Sequence, residues 1–197
     1  MTKVVADISI SLDGFVTGPD AGLEQGLGVG GEPLHTWAMQ PDDVDAEVLQ
    51  QATTRSGAVV MGRRLFDIID GPGGWDDEMG YGAGLAATPP FVVVTHAPPA
   101  KVRLGLSFTF VIDGIEAAIE QARLAAPADK DVVIMGGGDV IRQAIDAGVV
   151  EELSVHLAPI VLGAGTPLFA GVGRHELVQR SARVSTNATH IVYEVRN

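Results

Sequence analysis

The run Asp131–Met135 (DVVIM) ends in three consecutive glycines, Gly136, Gly137 and Gly138, and a helical pattern follows at once to Ala147. A buried strand feeding a helix through a glycine turn belongs to a parallel sheet. Parallel strands need a crossover, usually helical, and they read as near-continuous apolar runs. Glycines at the C-terminal end of such a strand let the backbone approach a ligand closely. The next helix then offers free N–H groups and the positive end of its dipole. The same triplet also serves as a tight turn with no ligand. Its spacing is not the dinucleotide GxGxxG pattern, and no Walker lysine follows it.

The rest of the chain repeats the unit. Lys3–Leu12 reads as a buried strand (Val4, Val5, Ile8, Ile10, Leu12) ended by Asp13-Gly14. A glycine-rich loop spans 18–31, and Asp42–Arg55 is helical with acids at its dipole-favoured start. Gly57–Gly62 is a core strand, 71–90 a loop around Trp75, and Phe91–Thr95 and Phe108–Ile112 are strands. Asp113 is expected to cap a helix to Ala125, with Glu116 at the capping-box position. Glu152–Leu157 is a strand stopped by Pro159, and 175–184 with 189–196 form a hairpin around Ser185-Thr186-Asn187. The expectation is an α/β protein, 1–197 as one domain, with a mainly parallel sheet and antiparallel C-terminal strands.

Composition narrows the functions. A net charge of -12 disfavours nucleic acid and anionic lipid. With no cysteine there are no disulfides, thiolate nucleophiles or thiolate metal ligands, and no metal is expected. No apolar run approaches the roughly 18 residues of a membrane span, and MTKVVADISI does not read as a signal peptide, so a cytoplasmic protein is expected.

Among only 13 Lys and Arg residues, the adjacent pair Arg63-Arg64 directly follows the strand ending in Gly62. Arginine suits a phosphomonoester, so this pair marks a candidate phosphate site, with two solvated arginines as the alternative. Thr95 and His96 follow another strand and could reach the same ligand end, although polar residues commonly end strands.

Taken together, KVVADISISLDGFVTG, GAVVMGRRLFD, FVVVTHAPP, DVVIMGGGDVIRQAI and LSVHLAPIVLGAGTPLF resemble the dihydrofolate reductase superfamily along essentially the whole chain. Within it, ISLDG and VVEELSVHLAPIVLG look more like the reductase domain of riboflavin biosynthesis, the RibD C-terminal domain, than dihydrofolate reductase itself, and the chain resembles the stand-alone bacterial proteins grouped between those two enzymes. The resemblance implies a dihydrofolate reductase-like three-layer α/β/α fold and an NADPH site at the strand ends. It assigns Gly62, Arg63 and Arg64 to the adenosine phosphates, and Thr95 and His96 to the 2′-phosphate and adenine. Gly136, Gly137 and Gly138, with Val140 and Ile141, match the pyrophosphate segment, and in that family the first Gly-Gly bond is often cis. Ser9, Ile10, Asp13 and Val16 match the nicotinamide-side wall. Two positions depart from the pattern: Leu65 replaces a hydroxyl residue, and Asp139 adds negative charge beside the pyrophosphate. Asp139 is read as the helix N-cap, turned inward.

The implied activity is hydride transfer to a small pterin-like or ribosylamino-pyrimidine-like substrate, which usually needs a proton donor. The candidates are Asp13 of SLDG, which also has a structural reason to precede Gly14, and Asp45. Asp45 stands with Asp42, Asp43 and Glu47 on the helix that carries the pterin carboxylate in dihydrofolate reductase, where acids also favour the N-terminus. Trp37 would lie over the substrate or serve the core, and Trp75 could form the far wall. His156, among apolar neighbours, reads as a satisfied core histidine. The alternatives are a non-catalytic ligand-binding module, or a flavin reductase holding FMN beside the long 18–36 loop. A homodimer through sheet edges or the C-terminal strands is expected.

Overall fold

An unbroken apolar run makes the centre of the sheet: β3 (Ser56–Gly62) is buried at every residue, and β6 (Asp131–Gly136) at every residue but Met135. The computed structural model describes residues 2–76, 81, 82, 85 and 88–196. The rest of the expected 71–90 loop lies outside the described residues. Around the two central strands lie β1 (Val4–Ser11), β4 (Phe91–Val94), β5 (Phe108–Val111) and β7 (Glu152–Ala158), all parallel. The hairpin β9 (Glu176–Val184) and β10 (Thr189–Arg196) adds antiparallel to β7, giving the order β5-β4-β3-β6-β1-β7-β10-β9. Two short strands, β2 (Phe15–Thr17) and β8 (Thr166–Pro167), pair separately. The expected mainly parallel sheet with antiparallel C-terminal strands is what forms.

Period-2 alternation sends neighbouring residues to opposite faces. Val4, Ala6, Ala58, Val60, Val132 and Ile134 face the larger core, covered by α4 (Ile115–Ala125) and α5 (Gly138–Asp146). Helix α4 buries Ile115, Ala118, Ile119 and Ala122, and α5 buries Val140, Ile141, Ala144 and Ile145, each the stripe of a one-sided helix. Each fully buried Val or Ile there is worth about 1.5–3 kcal/mol. The other face carries Val59 and Met61 under Phe66 of α3 (Arg63–Ile69). Beside it lie α1 (Thr36–Met39) and α2 (Asp43–Arg55), whose Trp37 and Leu49 pack with Ala188.

The acids at the start of α2 have a defined job. Asp42 Oδ1 accepts from the Val44 and Asp45 amides (2.9 and 3.0 Å), and Asp45 Oδ2 accepts from the Asp42 amide (3.2 Å), a reciprocal capping box. The hairpin tip docks on this cap: the Thr186 amide donates to Asp42 Oδ2 (2.8 Å) and Asn187 Nδ2 to Asp45 Oδ2 (2.8 Å).

Two expected caps are corrected. Helix α4 takes Gly114, not Asp113, as its N-cap, with φ of 91° and no side-chain cap bond. That backbone region favours glycine and so moves the helix start one residue past the exposed Asp113. Helix α5 likewise takes Gly137 as N-cap. Asp139 already lies in the first turn, its side chain 77% exposed and paired with Arg142, not turned inward.

Candidate functional site

Strand β6 is inserted between β3 and β1, and the helices that follow β3 and β6 pack on opposite faces of the sheet. Such a divergence opens a crevice beyond the strand ends, the usual ligand position in an open α/β sheet. Its backbone is glycine. The Gly136–Gly137 peptide is cis, as the resemblance implied. At Gly62 a Cβ would come within 2.8 Å of Val140 Cγ2, so the absence of a side chain lets α5 close on β3. At Gly137 a Cβ would meet nothing within 4 Å, so that glycine answers no packing demand and leaves open space before α5. The Val140 and Ile141 amides turn back to Gly137 O. The Gly138 and Asp139 amides, by the geometry of any helix start, have no intrahelical acceptor.

The other expected cofactor residues fall into two groups. Ile10, Val16, Val140 and Ile141 bury their side chains in the larger core beneath the glycines, so what they can offer a ligand is backbone. A Cβ on Gly138 would sit 3.2 Å from Val16 Cγ2, which fixes that floor. Arg63, Thr95 and His96 gather on one side. Arg63 Nε donates to Asp67 Oδ1 (2.8 Å), and its guanidinium also reaches Thr95 Oγ1 (3.4 Å) and the Ala97 carbonyl. Thr95 is buried and His96 exposed. Arg64 goes elsewhere, to the Ala21 carbonyl of the 18–31 loop. Successive helical residues diverge by about 100°, so the adjacent pair grips two different segments.

Asp13 is fully engaged. Its carboxylate accepts from Ser11 Oγ (2.7 Å) and from the Leu162 and Gly163 amides (3.0 and 2.7 Å). The Ser11 bond, with the two amides, holds its pKa down at about 2 against the smaller opposing effect of burial. Asp13 thereby staples the turn after β1 to the loop after β7.

Trp37 and Asp45 meet in a buried side-chain cluster drawn from three strands and two helices. Trp37 Nε1 donates to Ser9 Oγ (2.8 Å), and its ring lies 4.0 Å from that of His156, centre to centre. His156 Nδ1 and His190 Nδ1 are 2.7 Å apart, His190 Nε2 is 2.8 Å from Asp45 Oδ1, and His156 Nε2 is 3.1 Å from Asp7 Oδ1. Asp45 therefore reaches the rest of the site through the histidines. Burial works to raise its pKa, but bonds from Ser185, Asn187, His190 and the Asp42 amide outweigh that and hold it low. Burial pushes His190 down, against the pull of Asp45. His156 is buried in the core, as the sequence suggested, with a partner at each ring nitrogen.

Asp7 and His190 were not singled out in the sequence. Asp7 left one signal, a charge inside an apolar strand run (VVADISI). His190 left none until β10 and β7 pair, which sets it opposite His156. Asp7 opens on a cleft of about 510 Å³ between α2 and the sheet, with Val5, Val133, Ser154 and Val192 around it. The Tyr81 hydroxyl is 3.1 Å from Ser56 Oγ; burial pushes its pKa up and the Asp7 charge adds to it. Trp75 packs against Phe91 at 5.9 Å. Among the described residues no helix is long and apolar enough to cross a membrane.

The RibD C-terminal domain family matches residues 2–193. Protein YyaP of Bacillus subtilis (strain 168), itself uncharacterised, is 24% identical over 200 residues, which cover 97% of this chain and 94% of YyaP. Among solved structures, a pyrimidine reductase-like protein from Corynebacterium diphtheriae is similar with a TM-score of 0.65 at 18% identity, over 100% of this chain and 92% of that one. Dihydrofolate reductase from Enterococcus faecalis, solved with NADP(H), is similar with a TM-score of 0.55 at 15% identity, over 99% and 97%. At such identities the likeness is one of fold, and the fold is dihydrofolate reductase-like.

Proposed function

The chain belongs to the RibD C-terminal domain family, and from that premise we propose that it is an NADPH-dependent oxidoreductase acting on a small pterin-like or ribosylamino-pyrimidine-like substrate. The observation that carries the reading is the open space at Gly137, in line with the first amides of α5. A side chain there would fill the place a pyrophosphate needs, and the helix start suits an anion in an otherwise acidic protein. The residues present fit the cofactor. The backbone of Gly136, Gly137, Gly138 and Asp139 would hold the pyrophosphate, with the Asp139 charge offset by Arg142. Arg63, with Thr95 and His96, would take the 2′-phosphate, and Arg64 would tie the 18–31 loop over the site. Ser9, Ile10 and Val16 would back the nicotinamide, with Gly62, Val140 and Ile141 shaping the floor.

When bound, the reduced nicotinamide supplies a hydride. The chain's own residues position the acceptor and exclude water: Trp37 would cover the two histidines from the α1 side, and Asp13 would fix the turn that ends β1. Residues 1–197 act as a single cytoplasmic domain in this reading, since one sheet takes strands from both ends of the chain. A homodimer would form through the outer edge of β9, where Leu177 and Val184 are exposed.

Titration of the purified protein with NADPH, NADH and FMN tests it. NADPH should bind more tightly than NADH, and Arg63→Ala should remove most of that preference. Binding of FMN alone, or of no nicotinamide, would overturn the reading.

A further inference from the structure

The buried chain Asp45–His190–His156–Asp7 lies outside the residues read above as holding the cofactor, and its Asp7 end lines the cleft. Three hydrogen bonds link its four side chains, and each needs one proton. Asp45 Oδ2 already accepts from Asn187 and the Asp42 amide, so this carboxylate stays ionised and its Oδ1 takes the His190 Nε2–H. His190, kept neutral by burial, then has a bare Nδ1, which accepts from His156 Nδ1–H. With one proton on each imidazole, both rings have now spent theirs on these two bonds. The third bond, between His156 Nε2 and Asp7 Oδ1, exists only if the unit carries one proton more.

Exposure shows where that proton can leave. The side chains of Asp45, His190 and His156 are 0%, 4% and 1% exposed, whereas Asp7 is 22% exposed. Trp37 covers the histidines, 4.0 Å from one ring and 5.1 Å from the other. Along the backbone, Ala6 pairs with Ile134 across β1 and β6, so Asp7 stands beside Met135, the residue before Gly136, with its side chain on the α2 face together with Val5 and Val133.

We propose that this chain is a proton store and that Asp7 is its outlet, a general acid for the substrate reduced at the neighbouring crevice. The inference rests on the reductase reading above. As the carbon of a substrate C=N or C=O bond accepts the hydride of the reduced nicotinamide, its π electrons pass to the heteroatom. The heteroatom takes the proton, so the Asp7–His156 unit loses one O–H or N–H bond and one N–H or O–H bond forms on the product. Asp7, left as a carboxylate at the cleft, reloads from water. His190 and Asp45 are positioning residues: they fix the tautomer of His156 so that Nε2 faces Asp7. The other titratable groups around this chain are His35, which feels both His156 and Asp7, Arg183 on β9, which acts on His190, Tyr81, and the Glu47, Arg55, Asp131 and Glu152 side chains that line the Asp7 cleft.

Histidine ¹⁵N NMR of the whole protein, followed through a pH titration around neutrality, counts these protons without any substrate. Expected are His190 protonated on Nε2 only, His156 protonated on Nδ1, and a further proton between His156 Nε2 and Asp7. In Asp7→Asn the carboxamide can still bond to His156, so that proton should vanish while the His190 tautomer stays. NADPH oxidation by Asp7→Asn, against a panel of small cyclic imines and ketones, should fall about a hundredfold or more with NADPH affinity unchanged. A bare His156 Nε2 beside ionised Asp7 in the wild type, or full-rate oxidation by Asp7→Asn, would overturn the proposal. Wild-type protein that never binds NADPH would instead sink the reductase reading and the delivery step with it, and the spectrum would still decide whether the store exists.

Discussion

The crevice at the strand ends and the histidine chain beneath Trp37 are built in opposite ways. The crevice is backbone: glycines contiguous in sequence, open space, and a helix start. The histidine chain is side chains only, drawn from β1, α2, β7 and β10, with partners up to 149 residues apart. A backbone site tolerates little at its own positions but demands little of the rest of the fold. A side-chain chain exists only when every strand has found its register.

That contrast can be broken by mutation. The largest expected effect is Asp45→Ala, which removes the acceptor of the buried His190 Nε2 and of the half-buried Asp42 amide and Asn187 Nδ2, the last of which keeps the Gln40 carbonyl. At about 1–3 kcal/mol for the buried donor and about 0.5–1.5 kcal/mol for each half-buried one, the loss should be about 2–6 kcal/mol by urea unfolding. A loss near zero would mean the buried chain does not hold α2 to the hairpin.

Next comes a contrast inside the crevice itself. Gly62→Ala places a methyl 2.8 Å from Val140 Cγ2 and should cost about 1–3 kcal/mol of stability. Gly137→Ala adds its methyl to open space at an ordinary φ of -77°, so stability should stay within about 0.5 kcal/mol while NADPH binding is lost. Equal stability losses in the two variants would remove the distinction between a packing glycine and a ligand glycine.

The smallest effect separates the two regions by pH. His190 has a folded pKa below its ordinary 6.5, so its neutral form is favoured in the folded state. Its contribution is fully present above about 6.5 and is lost as pH falls below it, because the unfolded chain then binds the extra proton. Asp13, held at about 2 against 3.8, contributes above about 3.8 and loses that contribution as pH falls towards 2. Urea midpoints against pH for His190→Gln and Asp13→Asn should therefore rejoin wild type in different windows, the first below neutrality and the second only in acid.

Much of this architecture was readable. DVVIM followed by three glycines announced a parallel strand, a turn and a helix, because those signals are local and periodic. The caps were harder: Asp113 and Asp139 are good capping types, but glycine at 114 and 137 took the N-cap positions by backbone conformation alone. Arg63 and Arg64 looked like one site in sequence, yet the helical turn between them sent one to Thr95 and Ala97 and the other to Ala21.

By itself the sequence determined the strands, the glycine crevice and the terminal hairpin, since hydrophobic period and backbone freedom act over a few residues. Only the tertiary structure decided that Asp7, His156, His190 and Asp45 share one hydrogen-bonded chain. Their meeting depends on sheet register, where a slip of a single residue would turn His156 or His190 to the other face.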